Sequence, residues 1–94
     1  MQELLDKLRQ LLPLVRQHYR VETLGIFGSY SRSEEGPESD LDILVTFSDP
    51  PSLFKFIELE NYLSDHLGVK VDLVMKDALK PAIGKRILKE VIPV

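Results

Sequence analysis

Cysteine is absent from the 94 residues of this chain. Disulfides and cysteine-based zinc sites are therefore excluded. No stretch approaches the roughly 20 consecutive apolar residues that a membrane-spanning helix needs, and the first residues lack the basic start and apolar run of a signal peptide. We therefore expect a cytoplasmic protein that does not enter a membrane.

The chain also lacks an overall excess of positive charge, because 12 Lys and Arg are outnumbered by 15 Asp and Glu, for a net charge of −3. Proteins that hold nucleic acid without sequence preference usually present a basic surface, so no direct nucleic-acid binding is expected. One local excess of positive charge comprises Lys76, Lys80, Lys85, Arg86 and Lys89. The solvated face of a helix is the favoured interpretation, and a surface for a partner protein is the alternative.

The remaining composition is that of an ordinary folded domain. Hydrophobic residues make up 44% of the chain and charged residues 29%, a balance that excludes a disordered protein. No repeat or linker divides the chain, and its length suits one domain over residues 1–94.

Hydrophobic periodicity predicts alternating helices and strands. Leucine and valine at helical spacing predict an N-terminal helix, which Pro13 should kink or restart. A second helix should begin after Ser52 and end at Gly68. A third should run from about Pro81 to Val91, with Ile83, Ile87 and Val91 facing inward. Short apolar runs predict three strands, at residues 21–27, 41–47 and 69–74. The expected fold is α/β, with a small mixed three-stranded sheet flanked by helices.

A pair of aspartates opens the second predicted strand. Asp40 and Asp42 are two residues apart, so their side chains should point the same way. Neighbouring carboxylates repel each other, and a divalent cation bound between them would offset this repulsion. Mg²⁺ prefers one or two carboxylates together with phosphate oxygens. An isolated Asp-x-Asp is nevertheless more often a solvated strand end.

Two further features favour a site for phosphate and metal. Gly28 and Ser29 directly follow a strand, where glycine lets the backbone approach a ligand and serine can bond a phosphate oxygen or cap a helix. Asp72 lies in the third apolar strand, where an unpaired buried carboxylate is costly. Next to Asp40 and Asp42 it would complete a cluster able to hold two metal ions, although on its own it is equally typical of a strand edge in water.

The spacing of these residues resembles a known signature. Gly28-Ser29, ten residues, and then Asp40-Leu41-Asp42 is similar to the motif of DNA polymerase beta-like nucleotidyltransferases. The closer resemblance, over nearly the whole chain, is to the minimal nucleotidyltransferases, the MNT antitoxins of HEPN/MNT toxin–antitoxin pairs. The family often has a small residue at position 31 and a glycine at position 33, where this chain has Ser31 and Ser33.

The resemblance implies a fold and a set of roles. The fold would be the polymerase beta-like nucleotidyltransferase fold. Gly28, Ser29 and Arg32 would bind the nucleotide triphosphate. The metal ligands and catalytic residues would be Asp40, Asp42 and Asp72, holding two Mg²⁺ ions, with Asp72 as the general base.

The resemblance also implies a reaction and a partner. AMP would move from ATP onto a tyrosine of a HEPN toxin encoded by a neighbouring gene, which neutralises the toxin. Relatives that bind other acceptors carry an extra domain, so we expect a partner chain to supply the acceptor here, in a hetero-oligomer or with a homo-oligomer. The alternative is a non-catalytic antitoxin that inhibits its partner by occlusion. A third hypothesis is transfer to a small-molecule hydroxyl.

Overall fold

A computed structural model describes residues 1–94 as three α-helices and one four-stranded sheet. The elements in chain order are α1 (Gln2–Tyr19), β1 (Val21–Phe27), β2 (Leu41–Phe47), α2 (Leu53–Leu67), β3 (Val71–Met75), a 3-10 turn (Lys76–Ala78), α3 (Pro81–Glu90) and β4 (Ile92–Pro93). The predicted α/β class is confirmed. No helix has the length and apolar character needed to cross a membrane.

The sheet is mixed, with strand order β3-β2-β1-β4. β1 pairs antiparallel with β2 and β4, whereas β3 pairs parallel with β2. The predicted count of three strands was one too low, because β4 is only two residues long and contains Pro93. Proline cannot donate to a strand ladder and is confined mainly to edges, so no sequence pattern indicated this strand.

The hydrophobic core lies between one face of the sheet and the pair α1 and α2. Side chains alternate along β2, so Leu41, Ile43 and Val45 enter this core and are almost fully buried. Asp42 and Leu44 therefore face the opposite side of the sheet. On β3, Leu73 is buried in the same core while Asp72 is exposed. The acidic residues are thus carried on the face that α1 and α2 leave uncovered.

Two predicted helix features have different outcomes. The helix α1 continues through Pro13 without restarting. Pro13 is exposed, as is Arg9 one turn earlier, so the Arg9 carbonyl that loses its helical partner lies where water reaches it. The helix α2 has the predicted ends: the Ser52 hydroxyl accepts from the Lys55 amide at 3.2 Å, and Gly68 closes the helix with φ 71°.

The prediction that Ile83 faces inward was wrong, because its side chain is 52% exposed. No residue of α3 is buried, and Ile87 and Val91 are only half-buried. The residue that follows the helix, Val91, packs against Gly25 of β1. Its helical periodicity was predicted correctly, but it covers the sheet too sparsely to bury an apolar stripe.

Candidate active site

The predicted site residues meet at one edge of the sheet. β1 runs antiparallel to β2, and β3 runs parallel to β2, so the end of β1 lies beside the beginnings of β2 and β3. Phe27 pairs with Asp42 in the first ladder, and Asp42 pairs with Asp72 in the second. Gly28, which follows β1, is therefore brought against the carboxylate of Asp42, whose ladder partner on β3 is Asp72.

Asp42 and Asp72 pair across β2 and β3 on the face of the sheet opposite to α1 and α2. Burial, followed by the charge and the hydrogen bond of Asp72 and then the charge of Asp40, raises the pKa of Asp42 to about 6 from its ordinary 3.8. Arg32 offsets part of this rise. A cation bound between the two carboxyl groups would relieve this repulsion.

Asp40 lies immediately before β2, and its carboxylate is 3.8 Å from the Lys70 ammonium. No three metal-ligating side chains converge on a common point. The structure therefore brings Asp42 and Asp72 together, while Asp40 contacts Lys70 and affects the pair through its charge. The Asp42–Asp72 pair supplies the oxygen ligands that Mg²⁺ prefers and fits a divalent cation. To join these two residues as a ligand, Asp40 would have to turn from Lys70.

Gly28 is required at its position for two separate reasons. Its backbone has φ 76°, which residues with a side chain rarely adopt. A Cβ at this position would also collide with the Asp42 carboxylate. The sequence predicted a close approach of the backbone to a ligand, and the structure shows a close approach to the predicted metal ligand itself.

A tight turn follows Gly28 and carries the other predicted nucleotide-binding residues. The Arg32 amide donates to the Gly28 carbonyl at 3.2 Å, and the Glu34 amide donates to the Ser29 carbonyl at 2.8 Å. Ser33 takes a left-handed backbone with φ 57°. The turn keeps Ser29 and Arg32 beside Gly28, as the sequence predicts, and it does so with serine at the position where the family often has glycine.

Glu90 contacts the predicted nucleotide-binding residues, and sequence reasoning missed it. Its carboxylate accepts from the Arg32 guanidinium at 3.0 and 3.1 Å and from the Gly28 amide at 3.2 Å. The Arg32 hydrogen bond lowers the pKa of Glu90, so the carboxylate is ionised at neutral pH. One signal was available in the sequence: an acidic residue in the last turn of a helix opposes the helix dipole, which favours a specific partner elsewhere.

Comparison with known proteins agrees with this geometry. A family model for the nucleotidyltransferase domain matches residues 4–94. The protein adenylyltransferase MntA of Thermococcus cleftensis is 54% identical over 78 residues, which cover 83% of this chain and 79% of that protein. A solved structure, provisionally described as a minimal nucleotidyltransferase, is 33% identical with a TM-score of 0.82, over 98% of this chain and 94% of that one.

A more distant solved structure shares the fold. It is a chain from the complex of tri-AMPylated HEPN toxin with MNT antitoxin of Shewanella oneidensis, with a TM-score of 0.70 over 99% of this chain and 71% of that one. At 24% identity this likeness concerns the fold alone. The family model, in contrast, spans nearly the whole chain and includes every residue of the site. The chain therefore belongs to the nucleotidyltransferase domain family, with the protein adenylyltransferase MntA among its relatives.

Proposed function

We propose that this chain is an antitoxin that transfers AMP from ATP to a tyrosine of a partner HEPN toxin in a Mg²⁺-dependent reaction. The observation that carries the proposal is the close approach of Gly28 to Asp42, which pairs with Asp72 at one sheet edge. The turn proposed to bind phosphate therefore adjoins the carboxyl pair proposed to bind the cation. This arrangement suits transfer of a phosphate-linked group.

The relatives support a protein as the acceptor. MntA of T. cleftensis is named a protein adenylyltransferase, and this chain matches most of its length. The S. oneidensis complex pairs an MNT antitoxin with a HEPN toxin that already carries AMP groups. A HEPN toxin is therefore the acceptor we propose for this chain, encoded by a neighbouring gene.

The proposed roles follow from the contacts of each residue. The Gly28 amide, the Ser29 hydroxyl and the Arg32 guanidinium bind the phosphates of ATP, because amides and guanidinium groups are strong donors to phosphate oxygens. Asp42 and Asp72, joined by Asp40 once it turns from Lys70, would hold Mg²⁺, which would supply positive charge for the phosphates and for the attacking hydroxyl. The Asp72 carboxylate takes the proton from the tyrosine hydroxyl. The tyrosine oxygen then bonds to the α-phosphorus, and the bond to the leaving pyrophosphate breaks.

Intact-mass measurement tests the proposal. The purified chain is incubated with its neighbour-encoded HEPN partner, ATP and Mg²⁺, and the partner is weighed by mass spectrometry. We expect the partner to gain the mass of AMP, and the gain to disappear with Asp42→Asn. Asp65→Asn is the matched control, because Asp65 is an exposed aspartate of α2 away from the site, and it should retain full transfer.

The same experiment separates the alternatives. An unchanged partner mass in a stable complex would contradict transfer and would indicate an antitoxin that acts by occlusion. Replacing the modified tyrosine of the partner by phenylalanine should abolish the mass gain. A gain that persists in that variant would show that the acceptor is a different residue.

A further inference from the structure

The carboxylate of Glu90 is bound by two groups that the proposed function assigns to phosphate. Its Oε1 atom accepts from the Gly28 amide at 3.2 Å, and both of its oxygens lie within 3.1 Å of the Arg32 Nη1 atom. Arg32 has a second, longer contact to Glu34 at 3.4 Å, but Glu34 has no contact with Gly28. Glu90 is therefore the carboxylate that accepts from both the Gly28 amide and the Arg32 guanidinium.

A carboxylate and a phosphate compete for such a pair of donors. Backbone amides and guanidinium groups bind either anion through the same charge-assisted hydrogen bonds. The single Gly28 N–H cannot donate at full strength to Glu90 and to a phosphate oxygen together. A negative charge left at this position would also repel the triphosphate.

We propose that Glu90 is a gate on the nucleotide site, whose carboxylate must leave Gly28 and Arg32 before a triphosphate can bind. This inference rests on the proposed function, because it takes Gly28 and Arg32 as phosphate-binding groups. The inference assigns to Glu90, which lies near the C-terminus, an effect on the affinity for nucleotide.

The surroundings of Glu90 allow it to move. Glu90 is the last residue of α3, no residue of that helix is buried, and its side chain is 27% exposed. A carboxylate at a helix C-terminus is unfavourable against the helix dipole. Its present position therefore depends on Arg32 and Gly28, and it loses both partners when phosphate takes their hydrogen bonds.

Calorimetric titration with ATP and Mg²⁺ tests the gate on the full chain. Glu90→Gln keeps the shape of the side chain and removes its charge. We expect this variant to bind ATP about fivefold more tightly than the wild type, the size expected for removing one partly exposed charge contact. Glu34→Gln is the matched control, because it removes a charge beside the same arginine from a residue whose side chain makes no hydrogen bond with the Gly28 amide, and it should change the affinity less than about twofold. Circular dichroism verifies that each variant is folded.

Each other result has a definite meaning. Weaker ATP binding by Glu90→Gln would overturn the gate and would make Glu90 a residue that positions Arg32. Equal tightening by Glu34→Gln would also overturn it, because charge near Arg32 would then suffice. Failure of the wild type and both folded variants to bind ATP would overturn the proposed function together with the gate, whereas binding by the wild type with no gain in Glu90→Gln overturns the gate alone.

Discussion

Asp42 and Asp72 lie directly opposite each other in the parallel pairing of β2 and β3, and the charge of Asp72 helps to raise the pKa of Asp42. Two like charges held on neighbouring strands destabilise a sheet. The arrangement therefore lowers the stability of the metal-free protein and favours a bound cation. We therefore expect that removing one of these charges stabilises the metal-free protein and impairs the proposed activity.

Replacing Asp42 by asparagine should stabilise the metal-free protein at neutral pH. Since the folded-state pKa of about 6 lies above the ordinary 3.8, the wild type loses stability as the pH rises through this window. We expect Asp42→Asn to raise the free energy of unfolding by about 1 kcal/mol at pH above 6, a figure reduced from the full shift because the side chain is only half-buried. Urea denaturation in the presence of a chelator measures this gain.

The pH dependence provides the control for this variant. The gain of Asp42→Asn in the free energy of unfolding should be nearly absent at a pH close to the ordinary aspartate pKa, because the wild-type carboxyl is then protonated in the folded state. The exposed Asp65→Asn should show no gain at either pH. A loss of stability by Asp42→Asn above pH 6 would show that the charged carboxylate is favourably paired, contrary to our interpretation.

Magnesium should stabilise the wild type through the same pair. A ligand that binds only the folded state at ten times its dissociation constant adds about 1.4 kcal/mol, which raises the melting temperature of a domain this size by several degrees. We expect this rise in a thermal melt of the wild type and its loss in Asp42→Asn and Asp72→Asn. Potassium chloride at matched ionic strength should have no such effect. If magnesium stabilised both variants as much as the wild type, the cation would bind at a different site.

The sequence predicted local features well and long-range contacts poorly. Helical and strand periods located most elements, and the spacing from Gly28 to Asp42 predicted the candidate site. The contact of Asp40 with Lys70 and that of Glu90 with Arg32 depend on how distant segments pack. The exposure of Ile83 likewise depends on how little of the sheet α3 covers. No periodicity within one element contains that information.

Replacing Gly28 by alanine should damage both folding and activity. Alanine at this position would have to adopt the left-handed backbone that glycine tolerates, and its Cβ would collide with the Asp42 carboxylate. We expect the free energy of unfolding to fall by about 2 kcal/mol, from backbone strain together with the displaced carboxylate. Chemical denaturation measures this loss, and AMP transfer should fall with it.

Gly36→Ala is the matched control for this substitution. A Cβ at that position meets only the Ser39 hydroxyl, at 4.0 Å, and the backbone φ is not in the left-handed region. Its stability should stay within about 0.5 kcal/mol of the wild type. If both variants lost the same stability, the special position of Gly28 against Asp42 would be refuted.

Ser33→Gly should stabilise the turn that carries Arg32. Ser33 has φ 57°, a backbone that costs a residue with a Cβ roughly 1 kcal/mol and costs glycine little. We expect a net gain of about 0.5 kcal/mol, since glycine also loses more entropy on folding. Glu35→Gly, in the same loop without a positive φ, should give no gain. Thermal and urea denaturation of the two variants test this prediction. If Ser33→Gly lost as much stability as Glu35→Gly, the serine side chain would stabilise the turn by more than its backbone strain costs.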